Sequence, residues 1–319
     1  MNKVLIASQS FGKSSNEPWD VFKNAGIDLI VNDRGKPYTE DELLKLVKDV
    51  NGIVAGVDPI TARVINAAPK LKVIAKHGVG VDNIDLNEAT ERRIYVTVTP
   101  GANTQAVADL TFGLILGAAR KIVAADCRMR RGEWPRFVGI ELWQKTIGIV
   151  GLGQIGRAVA RRARGFDMRV LAYDVKPDLD FCRREDIELC GIEKLLKESD
   201  IISLHAPLNS ETSHLINRET LSWVKDGVII VNTARGELID IDALYDALLS
   251  KKVVAAGLDV YSPEPPDITH PIFKLENVVL TPHLGAYTRE ANRMMGMLAA
   301  QSVVDVLNGH EPRYWINKF

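Results

Sequence analysis

The chain predicts an α/β fold built from two parallel-sheet domains, on three observations. Short β-branched runs alternate with helical patterns along nearly its whole length. A glycine turn, Gly151-Leu152-Gly153-Gln154-Ile155-Gly156, separates an apolar run from a helical one. The 319 residues exceed what one ordinary core holds, which argues for two domains.

The first third reads as strand Lys3–Ser8, helix Glu17–Ala25, strand Asp28–Asn32, helix Glu40–Val50, strand Gly52–Ala55, short helix Thr61–Ala67 and strand Lys72–Ala75. Thr39 and Glu42 have the spacing of a capping box ahead of the second helix. The opening Met1-Asn2-Lys3-Val4-Leu5-Ile6 reads directly as a strand and lacks the small-residue cleavage site of a signal peptide. Strand Ile94–Val98 closes this region, and Thr99-Pro100-Gly101 punctuates it. From Thr104 to Arg131 a long Ala- and Leu-rich helix is predicted, apolar around more than one face. Such a helix is buried on several sides, so it is read as a connector between domains and a candidate subunit contact.

The glycine turn follows the apolar run 146–150 and opens a helix over Ile155 to Gly165; a second run, Met168 to Tyr173, ends in Asp174. Strand, glycine turn, helix, strand and acid make the dinucleotide-binding βαβ unit of a Rossmann domain. Gly151 permits the tight turn, Gly153 lets backbone approach a pyrophosphate, and Gly156 lets helix and strand pack closely. The helix N-terminus offers free N–H groups and a positive dipole end to phosphates. Asp174 accepts ribose hydroxyls and repels a 2′-phosphate, which favours NAD over NADP; the nearby Lys176 softens that discrimination.

Runs Ile201–Leu204, Val228–Asn232, Val253–Leu258 and Val278–Leu280 suit strands buried on both faces of a parallel sheet. Helices are predicted near Glu193–Glu198, Arg218–Val224 and Ile241–Ser250, and a last one from Thr288 to Leu307. That last helix is expected to return to the first domain. The smaller domain then spans 1–99 plus 287–319 and the nucleotide domain spans 100–286, with crossings at Val98–Asn103 and Gly285–Thr288. Two crossings make a hinge, and the interdomain cleft is the expected active site.

Composition narrows the partners. Forty basic and forty-one acidic residues leave no field of one sign for nucleic acid or anionic lipid. The longest apolar stretch, Leu110 to Ala119, is too short to span a bilayer. Cys127, Cys182 and Cys190 show no metal spacing, and free thiols suit a reducing cytoplasm. A small-molecule substrate, no metal, no nucleic acid, no membrane and a cytoplasmic location are expected.

Open α/β sheets bind ligands at the carboxyl ends of their strands. Three motifs lie there: Asn232-Thr233-Ala234-Arg235-Gly236 after one strand, Gly257-Leu258-Asp259-Val260 with Glu264 beyond the next, and Thr281-Pro282-His283-Leu284-Gly285 after the last. An arginine, a glutamate and a histidine therefore converge on one sheet edge.

With His77-Gly78-Val79-Gly80-Val81-Asp82-Asn83, Asn103-Thr104, and Arg131-Gly132-Glu133-Trp134, these motifs resemble the D-2-hydroxyacid dehydrogenase family over nearly the whole chain. The resemblance implies a flavodoxin-like substrate domain beside the Rossmann domain, and NAD as cofactor. It makes His283 the acid–base group, Glu264 the partner of its other ring nitrogen, and Arg235 the clamp on the substrate carboxylate. Backbone of Gly78, Val79 and Gly80 is assigned to the same carboxylate, with His77 and Asn103 beside it. Gln154 and Ile155 are assigned to the pyrophosphate, Ala206 and Pro207 to the adenine side, and Thr233, Ala234, Asp259 and Gly285 to the nicotinamide. The resemblance brings His205 nearer the cofactor than the chemistry. The other histidines, His214, His270 and His310, read as structural or exposed.

Within the family the pattern is most similar to phosphoglycerate dehydrogenases. Lys76 and Arg136 match their usual phosphate-binding cations, while Ala55 stands where an arginine is usual. The leading pair is 3-phosphoglycerate/3-phosphohydroxypyruvate, with glyoxylate, hydroxypyruvate or another 2-oxo acid as alternatives. The chain stops at Phe319, so serine feedback through a C-terminal regulatory domain is not expected. A homodimer through the nucleotide domain is expected. Two rivals are a formate dehydrogenase, against which Glu264 argues, and an NAD(H)-sensing corepressor-like protein, which can retain the same trio.

Overall fold

The computed structural model describes residues 2–319; Met1, at the start of the opening run 1–6, lies outside them. The chain divides into two compact units. The first runs up to Asn103 and resumes over Ala286–Phe319; the second is Thr104–Gly285.

In the first unit the elements run β1 (Lys3–Ile6), α1 (Glu17–Asn24), β2 (Asp28–Val31), α2 (Glu40–Leu46), β3 (Gly52–Ala55), α3 (Ala62–Asn66), β4 (Val73–Lys76), α4 (Leu86–Glu91) and β5 (Tyr95–Thr97). Its sheet has the order β2-β1-β3-β4-β5 with every pairing parallel, the doubly wound flavodoxin-like arrangement. Central strands are buried on both faces. Leu5, Ile53 and Ile74 point into one core, and Val4, Val54 and Val73 into the other. The Thr39–Glu42 capping box forms as predicted.

The second unit contains α5 (Thr104–Ala119), α6 (Ile122–Arg130), β6 (Thr146–Val150), α7 (Gln154–Arg164), β7 (Arg169–Tyr173), α8 (Leu179–Arg184), β8 (Ile187–Leu189), α9 (Ile192–Glu198), β9 (Ile201–Leu204), α10 (Arg218–Trp223), β10 (Val228–Asn232), α11 (Ile241–Leu249), β11 (Val253–Leu258) and β12 (Val278–Leu280). Its parallel sheet has the order β12-β11-β10-β9-β6-β7-β8. The order reverses between β6 and β9, which makes their carboxyl ends the switch point where such sheets hold nucleotides. The final helix, α12 (Arg289–Leu307), is part of the first unit, where Ala299 and Val303 share a core with Val4, Val54 and Val73.

Three local readings need correction. The helix predicted over 104–131 is two helices, broken at Lys121, whose φ of +55° lies in the left-handed region. The first, α5, belongs wholly to the second unit, with Phe112, Leu114 and Ile115 in its core, and is not a connector. The second, α6, buries no residue at all. Helices α4 and α8 and strand β8 were not predicted. Asp85 and Asp178 cap these two six-residue helices by accepting from Glu88 and Phe181 N–H groups, a local signal that marks both. Strand β8 is a three-residue edge strand, two of its residues only half-buried. No described helix is long and apolar enough to cross a membrane.

Candidate active site

The arginine, glutamate and histidine picked from the sequence all sit in the second unit, on loops after β10, β11 and β12. Each loop is shaped by a buried polar side chain. After β10, Asn232 donates from Nδ2 to the Arg235 carbonyl at 2.7 Å and accepts the Ala234 N–H at 3.0 Å. This side-chain-closed turn fixes the backbone at Arg235, which is half-buried. One guanidinium N–H returns to the Ala234 carbonyl at 2.6 Å. Gly236 then lies flat on the next loop: a Cβ there would stand 2.1 Å from the Tyr261 carbonyl carbon. Thr233 Oγ1 meets Thr111 Oγ1 of α5 at 3.0 Å, which holds the turn from beneath.

Asp259, 1% exposed at the end of β11, grips the loop after β12. Its carboxylate accepts from Thr281 Oγ1 and Leu284 N at 2.6 Å and from Gly285 N at 2.8 Å, and its carbonyl accepts from His283 N at 2.8 Å. Burial pushes the Asp259 carboxyl up, and the three donors pull it back without cancelling the effect. Thus both carboxylate oxygens of this predicted nicotinamide contact hold the histidine loop. Tyr261, which no sequence pattern marks, joins the same strand ends: its hydroxyl reaches the carbonyls of Leu258 at 3.0 Å and Thr281 at 2.9 Å.

Held this way, His283 adopts φ +54°, unusual for a side chain of its size. Its Nδ1 lies 2.7 Å from Glu264 Oε2, and Glu264 Oε1 accepts the Tyr261 N–H at 3.0 Å. Burial raises the Glu264 carboxyl, but the His283 contact, the Tyr261 N–H and the Arg235 charge outweigh it, and its pKa ends below the ordinary value. Glu264 is therefore a carboxylate at neutral pH. With Nδ1 engaged, His283 presents Nε2 for proton exchange, on a side chain 41% exposed.

The βαβ turn of the same unit fits a dinucleotide. Gly151 has φ +93°, and a Cβ on it would stand 2.7 Å from the His205 carbonyl and the Ala206 nitrogen. A Cβ on Gly156 would stand 2.1 Å from the Gly151 oxygen, whereas one on Gly153 would meet open space. Gly153 caps α7 without a side-chain bond, so no capping side chain occupies the N–H groups of its first turn. Asp174 is oriented by Leu152 N–H at 2.6 Å and Lys176 N–H at 2.7 Å. Lys176 thus touches the acid with its backbone. Ala206, buried, and Pro207 follow β9 on the other side of the switch point. His205 is half-buried beside Ser203 Oγ at 2.8 Å, and loss of hydration pushes its imidazole down to about 3, so it is no proton donor at neutral pH.

The residues assigned to the substrate are less uniform. In the first unit, Gly78 has φ +151°, and its carbonyl accepts both the N–H and the hydroxyl of Thr99 at 2.9 Å. Val79 is exposed beside Gly80. Lys76 is 8% exposed and turned inward: Nζ donates to the Gly56 carbonyl and to Asn83 Oδ1, both at 2.6 Å. His77 is buried against Ser10. Asn103 Oδ1 is buried without a hydrogen-bond partner. In the second unit Arg136 is exposed.

The chain is similar to known proteins in sequence and in fold. Residues 112–285 match the family model of the D-isomer specific 2-hydroxyacid dehydrogenase, NAD binding domain. The chain is 44% identical over 289 residues to a glyoxylate reductase of Korarchaeum cryptofilum, covering 88% of this chain and 87% of that one. It is 46% identical over 270 residues to a hydroxypyruvate reductase of Thermotoga maritima, covering 83% and 87%. A D-3-phosphoglycerate dehydrogenase of Archaeoglobus fulgidus is 42% identical over 318 residues, 99% of this chain but 59% of that protein. Among solved structures, the TT0316 protein of Thermus thermophilus superposes with a TM-score of 0.91 at 41% identity, covering 98% and 99%. The D-lactate dehydrogenase of Aquifex aeolicus, complexed with NAD and lactic acid, gives 0.88 at 28% identity, covering 100% of both chains.

Proposed function

We propose, on the premise that this chain belongs to the D-isomer specific 2-hydroxyacid dehydrogenase family, that its substrate is a short 2-oxo acid, glyoxylate or hydroxypyruvate, reduced with NADH. Membership makes it an NAD-dependent oxidoreductase acting between a 2-hydroxy acid and its 2-oxo acid. The observation that carries the chemical reading is the His283–Glu264 contact of 2.7 Å beside the arginine loop. The Gly151–Gly156 turn, Asp174 and the 206–207 segment would hold NAD, whose nicotinamide would supply or accept the hydride.

The chain's own residues do the rest. In reduction His283 gives its Nε2 proton to the oxygen of the carbonyl being reduced; in oxidation it takes the hydroxyl proton. Glu264 holds the ring by Nδ1 and stabilises the imidazolium. Arg235 offers a planar fork to the carboxylate. The amides of Gly78, Val79 and Gly80 are assigned to the carboxylate end of the substrate. Ala234 and Thr233 are assigned to the nicotinamide side, with Asp259 and Gly285 supporting them through the histidine loop.

The substrate reading turns on cations. Lys76 already donates to two protein oxygens, and Ala55 is a buried methyl, so neither recommends a phosphate. The curated relatives named glyoxylate and hydroxypyruvate reductase are matched over 87% of their length. The 3-phosphoglycerate/3-phosphohydroxypyruvate pair remains the second reading, favoured by the exposed Arg136 and by the Archaeoglobus relative matched over 99% of this chain. A panel of glyoxylate, hydroxypyruvate, pyruvate and 3-phosphohydroxypyruvate with NADH tests both. Highest kcat/KM on the phosphorylated acid would reverse the order; NADH binding without turnover on any would favour a sensor.

A homodimer through the second unit is part of the proposal. Helix α6 buries nothing, and Trp134, Val138 and Trp143 after it are exposed at 75%, 87% and 57%. Apolar surface of this kind is commonly covered by a partner, here a second copy. Light scattering that gives a monomer at micromolar protein would remove it. A cytoplasmic location is proposed with it, on the free thiols.

A further inference from the structure

Behind the Gly78–Gly80 turn lies a buried polar network that the proposed chemistry does not use. His77 Nδ1 is 3.1 Å from Ser10 Oγ, which is 3.3 Å from Ser8 Oγ. Asn292 of α12 donates from Nδ2 to the Ser10 carbonyl at 2.5 Å, and its Oδ1 accepts from Ser14 Oγ at 2.8 Å. His77, Ser8, Ser10 and Asn292 are all less than a tenth exposed. The ring packs edge-on against Phe11, with centroids 5.8 Å apart. Its Nε2 is buried without a hydrogen-bond partner and lies beside α12, 3.8 Å from where a Cβ on Gly296 would stand.

Four buried polar side chains and an unsatisfied ring nitrogen are a poor way to fill a core. Each loses hydration, and an apolar packing of the same shape would be as stable or more so. What such a network supplies is a single arrangement, and the element it adjoins needs one. Glycine turns have many accessible conformations, and amides aim at an anion only when their flanks are clamped. Three clamps hold this turn from its own sheet: Lys76 on Gly56 and Asn83, the His77 N–H on the Ala55 carbonyl at 2.9 Å, and Thr99 on the Gly78 carbonyl. The His77 ring is the fourth, and it reaches past the sheet to the β1–α1 loop and to α12. Burial pushes its imidazole down to about 4, with the Asn292 backbone opposing and the Lys76 charge adding to the effect. The ring is therefore neutral in ordinary buffers and its bonding pattern does not change with small shifts in pH.

We infer that His77 is a positioning residue: through Ser10 it sets the direction of the Gly78–Gly80 amides, and with it affinity for the substrate carboxylate, without touching substrate. This rests on the reading that those amides bind the 2-oxo acid.

The test is steady-state kinetics on full-length His77→Leu, Ser10→Ala, the double variant and His77→Asn, with NADH affinity measured by fluorescence and Tm by calorimetry. His77→Leu and Ser10→Ala should each raise KM for the 2-oxo acid about tenfold, with kcat and NADH affinity within about twofold of wild type. The double variant should be no worse than the poorer single one, because both cut one link. His77→Asn, whose side chain keeps a polar atom where Nδ1 stood, should recover most of the KM. Unchanged KM in both single variants, a loss that adds in the double, or a fall in Tm with KM untouched would each overturn the inference. A wild-type protein that turns over no 2-oxo acid would remove the functional reading first, and the inference with it.

Discussion

His283 Nδ1 and Glu264 Oε2 stand 2.7 Å apart although 19 residues separate them, and neither loop would bring them together alone. Asp259 holds the histidine loop through three donors, and the Tyr261 N–H holds the glutamate. The dyad is thus built from β11 and β12 jointly. His283→Ala should lower kcat at least about 100-fold while NADH binding persists, since the ring carries a proton and not a cofactor contact. Glu264→Gln should cost less, about tenfold in kcat, because the amide still holds the ring but stabilises the imidazolium less. Wild-type kcat in Glu264→Gln would take Glu264 out of the acid–base step.

Gly236 offers a geometric test of the arginine. Any Cβ there strikes the Tyr261–Ser262 backbone, so Gly236→Ala must displace either the Arg235 turn or the Glu264 loop. A misplacement near 1 Å costs on the order of 100-fold in kcat/KM. NADH affinity should hold within a few fold. Wild-type kinetics in Gly236→Ala would mean that the two loops move freely of each other.

Asp174 is held by two backbone donors before any ribose arrives. Asp174→Ala should weaken NADH binding about tenfold or more and bring NADPH closer to it. The ratio of the two dissociation constants is the measurement, and an unmoved ratio would dismiss the ribose role.

Acid should destabilise the fold through His77 and His205. Burial holds His77 near 4 and His205 near 3, against an ordinary 6.5. Below pH 6.5 the unfolded chain takes up protons at both rings while the folded chain does not, so stability falls as pH drops from 6.5 toward 4. The His77 ring contributes on the order of 3 kcal/mol across that window. Tm should fall steeply there, and His77→Leu should flatten the slope. A Tm independent of pH over that range would contradict the neutral state of the two rings.

Strands β3, β9, β10, β11 and β12 coincide with the runs read from the sequence, because burial on both faces leaves an uninterrupted apolar signature. The loop motifs after β10, β11 and β12 were legible for the same reason: once a strand's end is known, the residues beyond it lie at the ligand edge. Lys121 shows where such reading stops. Nothing in its neighbourhood announces a left-handed residue, and only the packing of α5 on its sheet ends the helix there. Tyr261 carried no signal either, since its hydroxyl bonds span two strand ends.

Local residue order, on its own, determined the alternation of strand and helix, the glycine turn for a dinucleotide, and the identity of the arginine, glutamate and histidine. Those properties follow from backbone period, φ preference and side-chain chemistry, all encoded within a few neighbours. Tertiary structure alone decided which way side chains face. It turned Lys76 inward onto Gly56 and Asn83, buried His77 against a serine 67 residues away, and aimed His283 at Glu264. Distances of that kind depend on sheet register and on what packs against each loop, and no spacing along the chain contains them.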